Sequence, residues 1–179
     1  MHKGNPDTSK YDSTCDGAWL IRKDIYGSCP FGTSSLIYDG SGIDQNMEQY
    51  LTKLDISSII KTVNVPVIKS TTEISTASVQ CFALSAIECG VGAYADGTRL
   101  SYFAEESNRI AYYNGVATAH WTRSPYYSTD TGTYNSRYAT LVTTTGTSQG
   151  MGVSQIYGYR PAFIVPLDTP IDSSNNIIA

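Results

Sequence analysis

His120 is the side chain best suited to proton transfer, because an imidazole titrates near neutral pH. It lies beside Trp121, and the nearest carboxylate that follows it is Asp130, in a segment predicted to be a loop. Such a distant partner does not favour general acid–base catalysis. The other histidine is His2, and the two are too isolated to complete a zinc site.

A nucleophilic serine is the second possibility, because residues 146–150 (Gly-Thr-Ser-Gln-Gly) match the letters G-x-S-x-G. That motif needs a strand-to-helix turn to expose its serine. Here it connects two predicted strands, so a polar hairpin loop is the better interpretation. We therefore expect no catalytic residues, no metal site and no cofactor.

The cysteines lie at Cys15, Cys29, Cys81 and Cys89, with no C-x-x-C spacing. Disulfide frameworks are typical of short secreted chains, and residues 1–6 lack the apolar region of a signal peptide. Free, partly buried thiols are the preferred interpretation. A local disulfide, Cys81 with Cys89 or Cys15 with Cys29, is the alternative.

Arg123 and Arg160 are the charged residues that we expect to be partly buried, since both lie among apolar and aromatic residues. A guanidinium can tie strand ends together through backbone carbonyls and a carboxylate, for which Glu88 is the candidate. Ligand binding is the alternative. Trp121 and Phe163 are expected to be buried neighbours in the sheet.

Residues 124–138 form the most informative candidate surface, with tyrosines set among Ser, Thr, Asn, Asp and Gly. Antibody paratopes have this composition, because Tyr supplies rigid contact area and small polar residues supply hydrogen bonds. Aromatic faces beside hydroxyls also suit sugar rings. An ordinary loop is the alternative. The candidate ligand-binding residues are Tyr126, Tyr127, Tyr134, Arg137 and Tyr138.

The elements that position these residues follow from the hydrophobic spacing. Apolar residues recur at helical spacing from Ile43 to Leu54, and shorter helices are expected after Asp55, after the capping box Ser85–Glu88 and within 101–111. The valines around Pro66 predict an edge strand. Strands are predicted at 18–23, 79–84, 118–123, 137–144, 150–157 and 159–165, which together indicate an α+β fold.

The 179 residues, with 16% charged side chains and a net charge of −4, fit one domain. We expect an extended N-terminal arm at 1–16, a globular core at 17–167 and a loose tail at 168–179. The negative charge counts against a nucleic-acid partner. No apolar run approaches the roughly 20 residues of a membrane span, so membrane insertion is not expected.

Three segments resemble a known family: residues 79–88 (Val-Gln-Cys-Phe-Ala-Leu-Ser-Ala-Ile-Glu), 120–125 (His-Trp-Thr-Arg-Ser-Pro) and 157–166 (Tyr-Gly-Tyr-Arg-Pro-Ala-Phe-Ile-Val-Pro). They are similar to an uncharacterised domain family of Gram-positive gut bacteria and their phages. Its signature is W-[WT]-[LT]-R-S-P followed by G-x-R-P-A. The resemblance implies a structural motif made of Trp121, Arg123, Ser124, Pro125, Gly158, Arg160 and Pro161.

A more distant similarity reaches the C-type-lectin-like fold shared by formylglycine-generating enzymes and phage receptor-binding proteins. Residues 84–88, 123–125 and 158–160 occur in the order of that fold's motifs. The resemblance implies a small twisted antiparallel sheet with flanking short helices and long surface loops. No cysteine follows Cys89 and the calcium-ligating lectin motifs are absent, so neither enzyme nor calcium-lectin activity is implied.

The missing signal peptide, the lack of a catalytic constellation and the Thr/Ser/Tyr/Gly-rich composition favour a non-enzymatic virion protein of a tail fibre, baseplate or capsid surface. The resemblance adds the association with a phage or prophage. Its expected task is adhesion to a host surface or virion assembly, and its expected location is the virion. Expected partners are other virion proteins, further copies of the chain, or a host-surface glycan or protein. A bacterial carbohydrate-binding surface module is the alternative, and an enzyme related to formylglycine-generating enzymes is a more distant one.

Overall fold

The computed structural model describes residues 2–33, 37–70, 73–128 and 130–170. It is 36% strand and 14% helix. The α-helix α1 spans Gly42–Leu51, and 3₁₀ helices lie at Ser13–Cys15, Ser57–Ile59, Ser101–Ala104 and Glu106–Asn108. The strands are β1 (His2–Lys3), β2 (Ala18–Ile21), β3 (Gly27–Pro30), β4 (Val63–Ile68), β5 (Ile74–Val79), β6 (Cys81–Phe82), β7 (Tyr112–Tyr113), β8 (Val116–Ala117), β9 (His120–Ser128), β10 (Thr133–Val142), β11 (Ser148–Gly152), β12 (Ile156–Tyr159) and β13 (Ala162–Val165).

The prediction of an α+β, C-type-lectin-like fold with flanking helices is wrong, because the structure is mostly β and α1 is the one α-helix among its described residues. The expected helices after Asp55 and within 101–111 are 3₁₀ helices of three or four residues. The capping box does form, since Ser85 Oγ accepts from the N–H of Glu88 at 3.2 Å and Glu88 Oε2 accepts from the N–H of Ser85 at 2.9 Å. Only turns follow the capping box, because Gly90, at φ 71°, ends the segment. The segment is then too short for further hydrogen bonds to offset the cost of nucleating a helix.

The helix α1 matches the hydrophobic spacing that predicted it. Ile43, Met47 and Tyr50 are buried on one face, and Ser41 Oγ caps the N-terminus by accepting from the N–H of Asp44 at 3.3 Å. The helix ends at Leu51 rather than at Leu54, because the N–H of Leu54 bonds to the carbonyl of Leu51 at 3.0 Å in a tighter turn.

Two larger sheets form the body of the domain. One has the strand order β1-β2-β13-β6 and the other has the order β11-β10-β9-β12-β3. Neighbouring strands are antiparallel except β9 and β12, which run in parallel through Gly158 and His120. Two-stranded sheets are formed by β4 with β5, which we call the β4–β5 ribbon, and by β7 with β8.

The N-terminal segment, expected to be an extended arm, lies against the core instead. Strand β1 pairs with β2, and the side chains of Tyr11 and Cys15 are buried. The indole N–H of Trp19 donates to the carbonyl of Cys15 at 3.0 Å. Although this segment is polar in composition, the buried side chains of Tyr11 and Cys15 are part of the core. Of the expected loose tail, residues 171–179 lie outside the described part.

Buried apolar side chains form two clusters. Trp121 lies in the larger one with Trp19 and Phe82, whereas Phe163 packs in a smaller one with Ala18, Ile60 and Val165. Both residues are buried, but the expectation that they are neighbours is wrong. Strands β9 and β13 belong to different sheets.

The four cysteines, Cys15, Cys29, Cys81 and Cys89, are buried and free. This agrees with the preferred interpretation. Burial raises the pKa of each thiol, to about 11 for Cys15 and Cys29 and to about 12 for Cys81 and Cys89. No helix in the described part of the chain has the length and apolar character needed to cross a membrane.

Candidate functional site

Arg123, on β9, is the centre of a buried charged cluster. Its Nη1 and Nη2 donate to Oε2 and Oε1 of Glu88 at 2.6 and 2.5 Å, so the ion pair is bidentate. Its remaining N–H groups donate to the carbonyls of Pro66 at 2.9 Å, Ala83 at 3.1 Å and Asp96 at 3.0 Å. The guanidinium thereby uses all its donors. Its expected pairing with Glu88 and with strand-end carbonyls is present.

Glu88 is positioned by groups from distant parts of the chain. Its Oε1 accepts from the hydroxyl of Tyr11 at 2.7 Å, and its Oε2 accepts from the N–H of Ser85 at 2.9 Å. The hydroxyl of Tyr11 also accepts from the N–H of Thr98 at 2.9 Å. Glu88 and Arg123 have 0% exposed side chains. A buried ion pair with its other hydrogen bonds satisfied is the arrangement in which attraction offsets desolvation.

Asp96 is a second buried carboxylate in this cluster. Its Oδ2 accepts from the hydroxyl of Ser124 at 2.7 Å, and Ser124 Oγ accepts from the N–H of Ala86 at 2.8 Å. Its Oδ1 has no hydrogen-bond partner among the described residues. Burial raises the pKa of Asp96 to about 6, against the opposing attraction of Arg123.

We expect Asp96→Asn to remove a pH-dependent loss of stability. Because the pKa of Asp96 is raised from 3.8 to about 6 on folding, the folded state binds this proton more tightly than the unfolded state. As the pH rises from about 4 to about 6, the free energy of unfolding of the wild type should therefore fall relative to that of the variant. Above about pH 6 the difference between the two proteins should no longer change with pH. The shift corresponds to about 3 kcal/mol.

Urea denaturation of both proteins across this pH range measures the difference. Asp39→Asn, at an exposed carboxylate, is the matched control. A wild-type minus Asp96→Asn difference that is constant with pH would contradict a buried carboxylate that gains its proton on folding.

Arg160 and His120 form a second buried polar group. Arg160 is 3% exposed, its Nε donates to the carbonyl of Arg22 at 2.7 Å, and its guanidinium lies 5.7 Å from the ring centroid of Phe103. Burial lowers the pKa of Arg160. Burial, with the charge of Arg160, lowers the pKa of His120 to about 3. His120 is thus a neutral buried imidazole at neutral pH.

The other motif residues have backbone roles. The carbonyl of Pro161 accepts from the N–H of Arg22 at 2.9 Å, and the carbonyl of Pro125 accepts from Thr140 Oγ1 at 3.1 Å. Gly158 lies where β12 approaches β9, and a Cβ there would lie 3.0 Å from the carbonyl oxygen of Ala119. Only a residue without a side chain permits this approach.

The tyrosine-rich segment forms a hairpin rather than a long loop. Strands β9 and β10 extend into it, so that Tyr134 lies directly opposite Tyr127. We call residues 126–138 the tyrosine hairpin, in which Thr129 lies outside the described residues. Tyr and Thr suit strands, and this is why the strands continue past their predicted ends.

One face of the tyrosine hairpin carries a cluster of three rings. The rings of Tyr127 and Tyr134 are 5.2 Å apart and edge-to-face, and the ring of Tyr94 lies 6.3 Å from that of Tyr134. The hydroxyls of Tyr94 and Thr140 are hydrogen-bonded at 2.8 Å. Tyr127 is 39% exposed. Burial raises the pKa of Tyr134 to about 12. An exposed ring is thus supported by two half-buried ones.

The remaining predicted binding residues do not join this cluster. Successive strand residues face opposite ways, and the ring of Tyr126 lies over Gly150 of β11, where a Cβ would come within 2.3 Å of it. Arg137 and Tyr138 are exposed, in the stretch of β10 where the register shifts. All five residues remain candidate binding residues, but the structure gathers only Tyr127 and Tyr134.

Sequence reasoning missed Tyr94, Tyr11 and the role of Asp96. Tyr94 and Asp96 lie in a glycine-containing segment without periodicity, where the sequence carries no signal of burial. Gly97, at φ 156°, brings the chain so close to the hydroxyl of Tyr11 that a Cβ there would lie 2.6 Å from it.

A recess of about 310 Å³ lies beside α1, lined by Glu48, Leu51, Thr62 and residues 78–81. None of the predicted site residues lines it. Within residues 2–33, 37–70, 73–128 and 130–170, no three His, Cys, Asp or Glu side chains are grouped as metal ligands would be.

A protein-family model described as a domain of unknown function (DUF6273) matches residues 16–167. No curated protein and no solved structure matches the chain. The match spans the buried charged cluster from Glu88 to Arg123 and the whole tyrosine hairpin. On this match, the chain belongs to the DUF6273 family.

Proposed function

We propose that this domain is a non-enzymatic binding module whose contact surface is the tyrosine hairpin. The observation that carries the proposal is the exposed ring of Tyr127, which contacts Tyr134 of the paired strand β10, whose ring in turn lies near that of Tyr94. A side chain that is already immobilised loses little entropy on binding. Tyrosine is also among the residues enriched at the energetic centres of interfaces.

The distribution of polar groups supports a binding role over a catalytic one. Arg123, Glu88, Asp96 and His120 are the side chains best suited to acid–base or electrostatic catalysis, and each is at most 3% exposed. A substrate could reach them only if the core opened. The exposed groups of the tyrosine hairpin include hydroxyls, amides and aromatic rings beside the charged Asp130 and Arg137, a combination that suits recognition of sugars or proteins.

We place this binding in a virion, as a structural protein of a phage or prophage tail fibre, baseplate or capsid surface. Support comes from the resemblance of residues 79–88, 120–125 and 157–166 to a phage-associated domain family. Adhesion to a host surface is the task that fits an exposed aromatic surface. Assembly with other virion proteins would use the same chemistry and is separated from adhesion by the test below.

We expect Tyr127→Ala to weaken attachment to host cells or cell-wall glycans about tenfold or more, because hot-spot tyrosines contribute well over 1 kcal/mol. Its melting temperature should change little, since exposed positions contribute within about 0.5 kcal/mol of stability. Tyr113→Ala is the matched control, because Tyr113 is 46% exposed on the separate β7–β8 sheet.

Attachment is measured with labelled domain on intact cells and on immobilised cell-wall polysaccharide. Equal attachment of Tyr127→Ala and Tyr113→Ala would contradict the proposed surface. Loss of the Tyr127→Ala protein from virions, with attachment unchanged, would make the tyrosine hairpin an assembly contact instead.

A further inference from the structure

Strand β5 is an edge strand with one neighbour. It pairs with β4 in a continuous antiparallel register from Val63 opposite Val79 to Ile68 opposite Ile74, without a bulge. No other strand among the described residues lies beside it. Ile74 is 46% exposed.

The contacts of β4 establish which backbone groups of the ribbon point outward. The N–H of Asn64 donates to Thr14 Oγ1 at 2.9 Å rather than to β5, and the carbonyl of Asn64 accepts from Cys15 Sγ at 3.4 Å. The carbonyl of Pro66 accepts from Arg123 Nε at 2.9 Å. Asn64 and Pro66 therefore direct their backbone groups away from β5. The free side of β4 is covered.

The residues opposite them on β5 must direct their backbone groups away from β4. Ser78 lies opposite Asn64 and Thr76 lies opposite Pro66, so both occupy non-hydrogen-bonded positions of the ladder. Since hydrogen-bonded and non-hydrogen-bonded pairs alternate along the ladder, Ile74 also occupies a non-hydrogen-bonded position. Within the described part of the chain, the N–H and carbonyl groups of Ile74, Thr76 and Ser78 have no partner.

This free edge lacks the features that prevent strands from pairing between molecules. Residues 74–79 (Ile-Ser-Thr-Ala-Ser-Val) contain no charge and no proline. The nearest charges along the sequence, Lys69 and Glu73, pair with each other at 3.6 Å, and Glu48 of α1 lines the recess that Ser78 also lines. Among the edge strands of the larger sheets, β1 contains Lys3 and β3 contains Pro30, whereas β11 contains two glycines and β6 is only two residues long. An uncharged strand is not repelled by a copy of itself.

We propose that β5 pairs with β5 of a second copy of this chain, antiparallel about a two-fold axis at Thr76. This axis sets Thr76 opposite Thr76 of the second copy and Ile74 opposite its Ser78. Each residue of β5 whose backbone groups point away from β4 then lies opposite such a residue of the second copy. The two residues of each pair exchange two N–H···O hydrogen bonds. The two ribbons join into one four-stranded sheet. The contact does not involve the tyrosine hairpin, so it stands independently of the proposed function.

Disulfide cross-linking of Thr76→Cys tests the axis. Residues opposite each other in a hydrogen-bonded pair have Cα atoms about 5.5 Å apart, within the range of about 4.4–6.8 Å that a disulfide bridges. We expect mild oxidation to give a covalent dimer on a non-reducing gel. The native cysteines are buried, so they should not cross-link.

The register provides the matched controls. Ile74 and Ile74 of the second copy lie four residues apart along the strand, about 14 Å, so Ile74→Cys alone should not cross-link. Ser78→Cys alone should not either, whereas an equal mixture of the two variants should. Cross-linking of Ile74→Cys alone to the same extent as Thr76→Cys would overturn the proposed register.

Charge variants test the association without a covalent bond. Ile74→Lys with Ser78→Lys sets like charges opposite each other and should give a monomer, whereas Ile74→Lys with Ser78→Glu should keep the dimer. Ile156→Lys, at a 68% exposed position on β12, is the control. Sedimentation velocity measures mass, and thermal melts verify folding. A wild-type chain that sediments at 19.4 kDa at every concentration would overturn the proposal.

Discussion

Arg123→Met is expected to destabilise the domain by about 3–5 kcal/mol, which is a large fraction of the roughly 5–15 kcal/mol by which domains are stable. The variant leaves Glu88 buried without the guanidinium that donates two hydrogen bonds to it at 2.6 and 2.5 Å. It also leaves the carbonyls of Pro66, Ala83 and Asp96 without a donor. A buried polar group without its partner bears the full cost of its lost hydration.

The double variant Arg123→Met, Glu88→Leu separates the charge from the packing. It leaves no uncompensated charge at this pair, so we expect it to be less destabilised than the sum of the two single variants. Urea denaturation of the four proteins completes the cycle. A loss below about 1 kcal/mol for Arg123→Met would contradict the expectation that the buried carboxylate of Glu88 depends on this guanidinium.

Trp121→Ala is expected to cost about 3–5 kcal/mol, because it leaves a cavity in the larger core cluster. Trp121 is 1% exposed, and its ring packs edge-to-face against Phe31 at 5.8 Å and Tyr157 at 5.2 Å. Its indole N–H donates to the carbonyl of Cys29 at 3.0 Å.

Trp121→Phe is the matched control for the cavity. It keeps most of the ring volume and loses the hydrogen bond to Cys29, so it should cost about 1–3 kcal/mol. Urea denaturation followed by far-ultraviolet circular dichroism measures both variants. Equal losses for the Ala and Phe variants would show that the hydrogen bond, rather than the packing, governs the contribution of this residue.

The features that the sequence predicted share a local signal. Helix α1 has an apolar stripe over several turns, and the Ser85–Glu88 capping box places a carboxylate within reach of the buried Arg123. The predictions of short α-helices were wrong because the sequence of three or four residues does not determine whether they form an α-helix or a 3₁₀ turn. There, glycines and tertiary packing determined the backbone.

The candidate surface was predictable in composition but not in arrangement. The tyrosines were found by their residue type, whereas the strand alternation that separates Tyr126 from Tyr127 depends on where β9 ends. Tyr94 reaches Tyr134 from a segment without periodicity. Tyr11 likewise comes from a polar segment. Contacts of this kind are fixed only by the folded chain.

The cluster around Arg123 also has a consequence for how the chain folds. Its hydrogen bonds join residues separated by 27, 35, 40 and 57 positions, and that of Tyr11 to Glu88 spans 77. Contacts with such large loops form late, because the chain must first lose the entropy of closing them. Interactions absent from the folding transition state slow unfolding rather than speed folding. We therefore expect the cluster to slow unfolding and so to lengthen the lifetime of the folded domain.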